Sequence, residues 1–290
     1  MIIDFSIRPP LFDFMQDFIN PPKYLKGYES LYADRWEEAQ HFLNSSFDTF
    51  LGHMDEAGVK IGVCRGKDIE TTHGLKLSND TVASFVNKYP QRFIGFAGVD
   101  PLKGMEAVRE LERAVKVLGL KGLALEPFEY NIYPDDRRCY PLYAKCVELD
   151  IPVSIHCSIN YSSSSKMDYG HPRHIDTIAV DFPELRIVAM TPGWPWVTEL
   201  IGVAWRHRNV FIELAAVRPK YMNMPNTGWG ELVHYGNTVI SDKILFASGW
   251  PLLPISRSIQ EINDFPLKAH VKERWFYKNA ANVLKLDLDK

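Results

Sequence analysis

Eight short, strongly apolar and β-branched runs recur along this chain, each followed by a longer amphipathic stretch. That alternation limits the folds open to it more than any other feature. The runs are Met1–Ile7, Val59–Cys64, Phe93–Val99, Gly122–Leu125, Val153–His156, Arg186–Met190, Val210–Leu214 and Lys243–Ala247. They lack the polar alternation of a half-exposed strand, so each reads as a parallel strand covered on both faces. Between them, Gly104–Leu118 sets Ala107, Leu111, Ala114, Val115 and Leu118 on one helical stripe. Ile175–Phe182 is another such stretch, opened by the turn-like His171-Pro172-Arg173. Eight strand-and-crossover units predict an α/β fold, a closed (β/α)₈ TIM barrel, which needs roughly 250 residues or more. The chain has 290. An open doubly wound sheet is the rival, but it normally carries a glycine-rich phosphate turn after its first strand. Asp4-Phe-Ser-Ile-Arg-Pro-Pro10 contains no glycine.

One barrel domain is expected over residues 1–290, with no second domain, repeat or linker. A longer segment, about 9–47, separates the first strand from the first barrel helix. Its aromatics (Phe12, Phe14, Phe18, Tyr24, Tyr28, Tyr32 and Trp36) predict an ordered insertion over one barrel mouth. Tyr161-Ser-Ser-Ser-Ser-Lys166 reads as a loop after strand five. Charge is nearly balanced, 33 Lys and Arg against 36 Asp and Glu, which leaves no basic surplus to displace the counterions of a nucleic acid. No run approaches the ~18–20 apolar residues of a membrane span, and the start lacks the pattern of a signal peptide. Cys64, Cys139, Cys146 and Cys157 are too few and too scattered for a disulfide scaffold. A cytoplasmic protein with free thiols and a small-molecule substrate is expected, with a homodimer left open and neither nucleic acid nor membrane as partner.

In such barrels, chemistry sits at the C-terminal ends of the strands and in the loops that follow. Those positions hold Asp4, Ser6 and Arg8 after strand one, Arg65 after strand two, Glu126 after strand four and His156 at the end of strand five. Thr191-Pro-Gly-Trp-Pro-Trp196 follows strand six, Glu213 ends strand seven, and Ser248-Gly-Trp-Pro251 follows strand eight. Trp194, Trp196, Trp229 and Trp250 cluster in these loops, which suits a flat aromatic or acyl substrate, although any one of them can equally be packing. Ser6 and Ser248 lack the Gly-x-Ser-x-Gly elbow of a nucleophile. His53, His73, His171 and His174 are expected at the surface.

Several of these stretches, in order, resemble the amidohydrolase-related TIM-barrel family of the aminocarboxymuconate-semialdehyde decarboxylase type. They are Met54-Asp-Glu-Ala-Gly-Val59, Lys121-Gly-Leu-Ala-Leu125, Ile151-Pro-Val-Ser-Ile-His156, Phe182-Pro-Glu-Leu-Arg-Ile-Val188, Ser248-Gly-Trp-Pro251 and Lys278-Asn-Ala-Ala281. The resemblance implies the barrel, and hydrolysis or decarboxylation of carboxylated ring compounds. It also implies one divalent metal, held by a His-x-His on strand one, the strand-five His and a strand-eight Asp, with a catalytic His after strand six. Here those positions read Ser6 and Arg8, His156, Gly249 and Thr191, so only His156 remains. One imidazole with neutral hydroxyls is a poor zinc site, and Arg8 would repel a divalent ion at close range. The expectation is therefore no cofactor, tight metal binding having been lost, with a weakly held ion at His156 left open.

A catalytic set of His156, Arg8, Glu126 and Glu213 follows, with Arg65, Ser6, Thr191, Trp194, Ser248 and Trp250 contacting substrate. Arg8 would hold a developing oxyanion and His156 would act as base or proton donor. The favoured reading is metal-free hydrolysis, in particular retro-Claisen cleavage of an aryl β-ketoacyl-CoA, with Lys23, Lys26 and Lys166 meeting the CoA phosphates. Two alternatives stay open: non-oxidative decarboxylation of an aromatic or enol acid, and a barrel that binds a small molecule without turning it over. Arg8 has a structural alternative too, an ion pair with Glu213 or Asp4.

Overall fold

The computed structural model of the protein describes residues 1–19, 45–160, 162 and 164–288. Residues 20–44, which include Tyr24, Tyr28, Tyr32, Trp36, Lys23 and Lys26 of the expected insertion, lie outside the described residues.

The architecture is the expected barrel. Its strands are β1 (Ile2–Asp4), β2 (Val59–Arg65), β5 (Phe93–Gly98), β6 (Leu123–Leu125), β7 (Val153–His156), β8 (Ile187–Met190), β9 (Val210–Glu213) and β10 (Ile244–Leu245). They hydrogen-bond side by side in that order as one eight-stranded sheet, and every strand pair in it is parallel. Beyond the short first and last strands, the chain closes the seam itself. The Phe5 amide donates to the Phe246 carbonyl at 2.9 Å, Gly249 to Ser6 at 3.0 Å and Arg8 to Trp250 at 3.2 Å, and Ile7 bridges Trp250.

Alternation along the strands makes two cores, because successive side chains face opposite ways. Inward residues Ile3, Phe5, Val63, Phe96, Val188, Phe211 and Leu245 fill the barrel. Outward ones such as Cys64, Phe93, Leu123, Ile155 and Ile212 pack beneath the helices. The helix Met105–Lys116 lays Ala107, Leu111 and Ala114 on the sheet, as the stripe predicts. Helices Phe47–Glu56 and Asn79–Lys88 are opened by Ser46 and Ser78, whose hydroxyls accept the amides of Thr49 and Thr81, satisfying donors that a helix start otherwise leaves unpaired.

One element stands outside the sequence expectation. An antiparallel hairpin, β3 (Lys67–Ile69) and β4 (Leu75–Leu77), leaves the top of β2. It bends away at Gly66, which lies so close to Gly98 that a Cβ on Gly98 would overlap the Gly66 backbone. Two glycines are thus needed where the hairpin departs. A 3₁₀ turn, Phe12–Met15, and one helical turn, Gln16–Ile19, come next to it. They are anchored by buried Phe14, edge-on to Phe85 with ring centres 5.2 Å apart. Among the described residues no helix is long and apolar enough to cross a membrane.

Candidate active site

The inward rows of the barrel end in ionisable groups. Val63 is followed two residues on by Arg65, Ala124 by Glu126, Ser154 by His156 and Phe211 by Glu213. The period of two therefore carries these four side chains onto the barrel's C-terminal mouth. Arg65 and Glu213 meet there in a short ion pair. Arg65 also donates to the Phe5 carbonyl at 2.9 Å and to Ser6 Oγ at 3.2 Å. Glu213 is fully buried, and burial lifts its pKa to about 7 against the pull of Arg65. Its Oε1 and the Nε of Arg65 are buried with no hydrogen-bond partner among the described residues.

A second charge cluster borders the first. Arg8 Nη1 donates to both oxygens of Asp17, at 2.9 and 2.8 Å. Lys67, on the hairpin, lies 2.7 Å from Glu129 Oε1, 3.5 Å from Asp17 and 3.6 Å from Glu126. Burial alone would raise the pKa of Asp17 and of Glu126, but the neighbouring cations Arg8 and Lys67 outweigh it and hold both low. Ser6, Arg8, Asp17, Arg65, Lys67 and Glu126 line a cleft of about 610 Å³, its open mouth included. Arg8 therefore faces the cleft, and its ion pair is with Asp17, neither with Glu213 nor with Asp4.

His156 ends β7 with its ring edge-on to Phe128, centres 4.7 Å apart. Burial pulls its pKa down to about 4, outweighing the attraction of Glu126, and its Nδ1 is buried without a partner among the described residues. At neutral pH the ring is uncharged.

Other expected contacts are placed differently. Ser248 is fully buried, and its hydroxyl donates to Asp4 Oδ2 at 2.6 Å while its amide donates to Oδ1 at 3.0 Å. Asp4 also accepts the Ser6 amide at 3.1 Å, and burial raises its pKa to about 6 despite these bonds. Ser248 therefore holds the barrel seam rather than facing substrate. Trp250 is 1 % exposed and packs on Phe50 at 4.6 Å between ring centres, so it is core, not a substrate platform. Trp194 is 36 % exposed and lends its carbonyl to Ser158 Oγ at 2.9 Å. Thr191 holds φ 67°, a left-handed backbone unusual for a β-branched residue, and its hydroxyl donates to the Met190 carbonyl. Lys166 lies over the Tyr133 ring, 5.8 Å from its centre. His174 is not at the surface: it is 8 % exposed, with Nδ1 2.8 Å from Asp135.

Three residues of this site escaped the sequence reading: Lys67, Asp17 and Glu129. Lys67 had a signal, since it continues the Val63–Arg65 parity by two. Asp17 had none, because its approach depends on the tertiary packing of Phe14 on Phe85.

The Amidohydrolase family profile matches residues 32–286. Gamma-resorcylate decarboxylase of Rhizobium sp. (strain MTP-10005) is 26% identical, the match covering 88% of this chain and 92% of that protein. An uncharacterised TIM-barrel protein from Bordetella bronchiseptica superposes with TM-score 0.82 at 27% identity, covering 98% of both chains. Dihydroxybenzoic acid decarboxylase from Polaromonas sp. JS666, solved with bound manganese and the inhibitor 2-nitroresorcinol, superposes with TM-score 0.66 at 19% identity, over 98% of this chain and 97% of that one.

That manganese overturns the expectation of a cofactor-free protein, which is set aside. The residues at hand nevertheless fit such an ion poorly. Among the described residues no three His, Cys, Asp or Glu converge as metal ligands do, and Asp17, Glu126 and Glu129 are engaged by Arg8 and Lys67. No chemical step below passes through a metal. With an eight-stranded parallel barrel, ionisable groups on its C-terminal mouth and a match over most of its length, the chain belongs to the Amidohydrolase family.

Proposed function

We propose that this protein is a non-oxidative decarboxylase of small aromatic carboxylic acids. The observation that carries the reading is the pair at the barrel mouth: Glu213, a carboxyl whose pKa lies at about 7, beside the fixed cation Arg65. Loss of carbon dioxide from an aromatic acid needs a proton delivered to the ring carbon that bears the carboxylate, and an acid near neutrality suits that task. Arg65 and Arg8 bind and orient the substrate carboxylate. As the substrate carboxylate draws Arg65 off Glu213, the uncovered carboxyl gives its proton to the ring carbon, the carbon–carbon bond breaks, and its electron pair returns to the ring as carbon dioxide leaves. Solvent then reprotonates Glu213. Neutral His156, partly exposed at the end of β7, offers the accessible edge of its ring to a ring substituent of the substrate.

Two lines support this over the retro-Claisen reading. The relatives that align with most of the chain carry the name gamma-resorcylate decarboxylase. Hydrolysis would ask an imidazole drawn down to about 4 to strip a proton from water, for which it is a weak base. The test is a panel of hydroxybenzoates and aryl β-ketoacyl-CoA thioesters. Carbon dioxide release from at least one hydroxybenzoate is expected, abolished in Arg65→Met protein. Thioester cleavage with no carbon dioxide from any aromatic acid would return the hydrolase reading.

A further inference from the structure

Three carboxylates share two cations in the cleft: Asp17, Glu126 and Glu129 around Arg8 and Lys67. Among the described residues the carboxylates of this cluster outnumber its cations. Two of the three are built into the barrel, since Glu126 follows β6 directly and Glu129 closes the 3₁₀ turn Pro127–Glu129. Asp17 arrives from the opposite wall. It sits on the helical residues Gln16–Ile19, which follow a 3₁₀ turn whose start has no side-chain cap. Phe12 and Ile19 at the two ends of this segment are 64 % and 45 % exposed, and buried Phe14 and Met15 are its anchors. Both oxygens of Asp17 lie on Arg8, in the wall of the cleft where Arg65 and Ser6 also face.

We infer that Asp17 is an internal stand-in for the substrate's carboxylate: an incoming arylcarboxylate displaces it from Arg8 and Lys67, and the Phe12–Ile19 segment moves off the cleft. The inference rests on the decarboxylase reading only for the class of ligand. The geometry calls for an anion with a planar pair of oxygens, which is what Asp17 itself presents. In the unliganded protein Asp17 occupies the cleft side of Arg8, and a ligand competes with it. The apparent affinity is lowered by the fraction of molecules in which the cations are free.

The experiment measures benzoate binding by calorimetry to the wild-type, Asp17→Asn and Asp13→Asn proteins, with amide hydrogen exchange of residues 12–19 in the wild type. Asp13 lines the same cleft, and its substitution controls for charge alone. The Asp17→Asn protein is expected to bind benzoate about tenfold more tightly, as removal of an internal competitor requires, and Asp13→Asn less than about twofold. Saturating benzoate should speed exchange across residues 12–19 of the wild type. Equal or weaker binding by Asp17→Asn, the same gain from Asp13→Asn, no binding by either protein, or slower exchange at 12–19 would overturn the inference. Should Asp17→Asn not fold, the wild-type exchange result decides alone. Carbon dioxide release is assayed separately, so tighter binding without turnover upholds the stand-in while removing the decarboxylase, and turnover without tighter binding does the reverse.

Discussion

Replacing Glu213 by Gln removes one proton site while keeping nearly the same shape, and it separates the two roles assigned to that carboxyl. The native pKa of about 7 against an ordinary 4.5 corresponds to a displacement of about 2.5, or ~3 kcal/mol. The sign follows from linkage: the folded protein holds this proton more tightly than the unfolded chain does. The benefit is therefore complete below the unfolded value and is lost as pH rises through about 7. Wild-type stability should fall between pH 5 and pH 8.5 by up to ~3 kcal/mol more than that of the Glu213→Gln protein, whose amide mimics the protonated acid. Urea unfolding at the two pH values measures the difference. Turnover at pH 6 should drop at least ~100-fold, because an amide cannot deliver the proton. If the stabilities of both proteins fall in parallel with pH, the carboxyl is not held protonated by the fold; if turnover survives, it is not the acid.

Trp250→Ala is expected to cost ~3–5 kcal/mol in urea unfolding, the range for deleting a large buried aromatic, and a cost under ~1 kcal/mol would place the indole outside the core. Thr191→Gly should stabilise the fold by about 1 kcal/mol, since glycine adopts φ 67° without the strain a β-branched residue carries there; a clear loss of stability would mean that the threonine hydroxyl contributes more than its backbone costs.

The barrel was legible because its strands are covered on both faces, which leaves a signature of unbroken apolar runs that no half-exposed sheet shares. Reading by strand ends led to the barrel mouth: Arg65, Glu126, His156 and Glu213 were named from that place, and in the fold all four continue inward rows. It failed where the chain leaves the barrel. Trp250 looked like a loop residue, but the seam beyond β10 runs on past Ser248, so the indole is buried beneath the helix Phe47–Glu56, against Phe50. Ser248 looked like a pocket hydroxyl until Asp4 took it, a contact between residues 244 positions apart that no local pattern records. Arg8 lines the cleft. Its partner Asp17 lies in a segment whose path is set by tertiary packing of Phe14 on Phe85, and nothing in its own neighbourhood announces it. The metal expectation erred differently: substituting family ligands one by one was taken to settle whether an ion is used, and a manganese-bearing relative shows how little that inference carries.

The seam between the two ends of the barrel has a consequence for biosynthesis. Asp4 gains its two hydrogen bonds from Ser248 only when that residue has left the ribosome, and Ile7 waits likewise for Trp250. Until then the nascent sheet is an open, curved ribbon with Phe5, Val63 and Phe211 uncovered and two unpaired edges, the state in which parallel sheets are most prone to wrong association. Chaperone capture, if it occurs, should therefore peak on ribosome-bound chains that stop short of the last strand and end abruptly once it emerges.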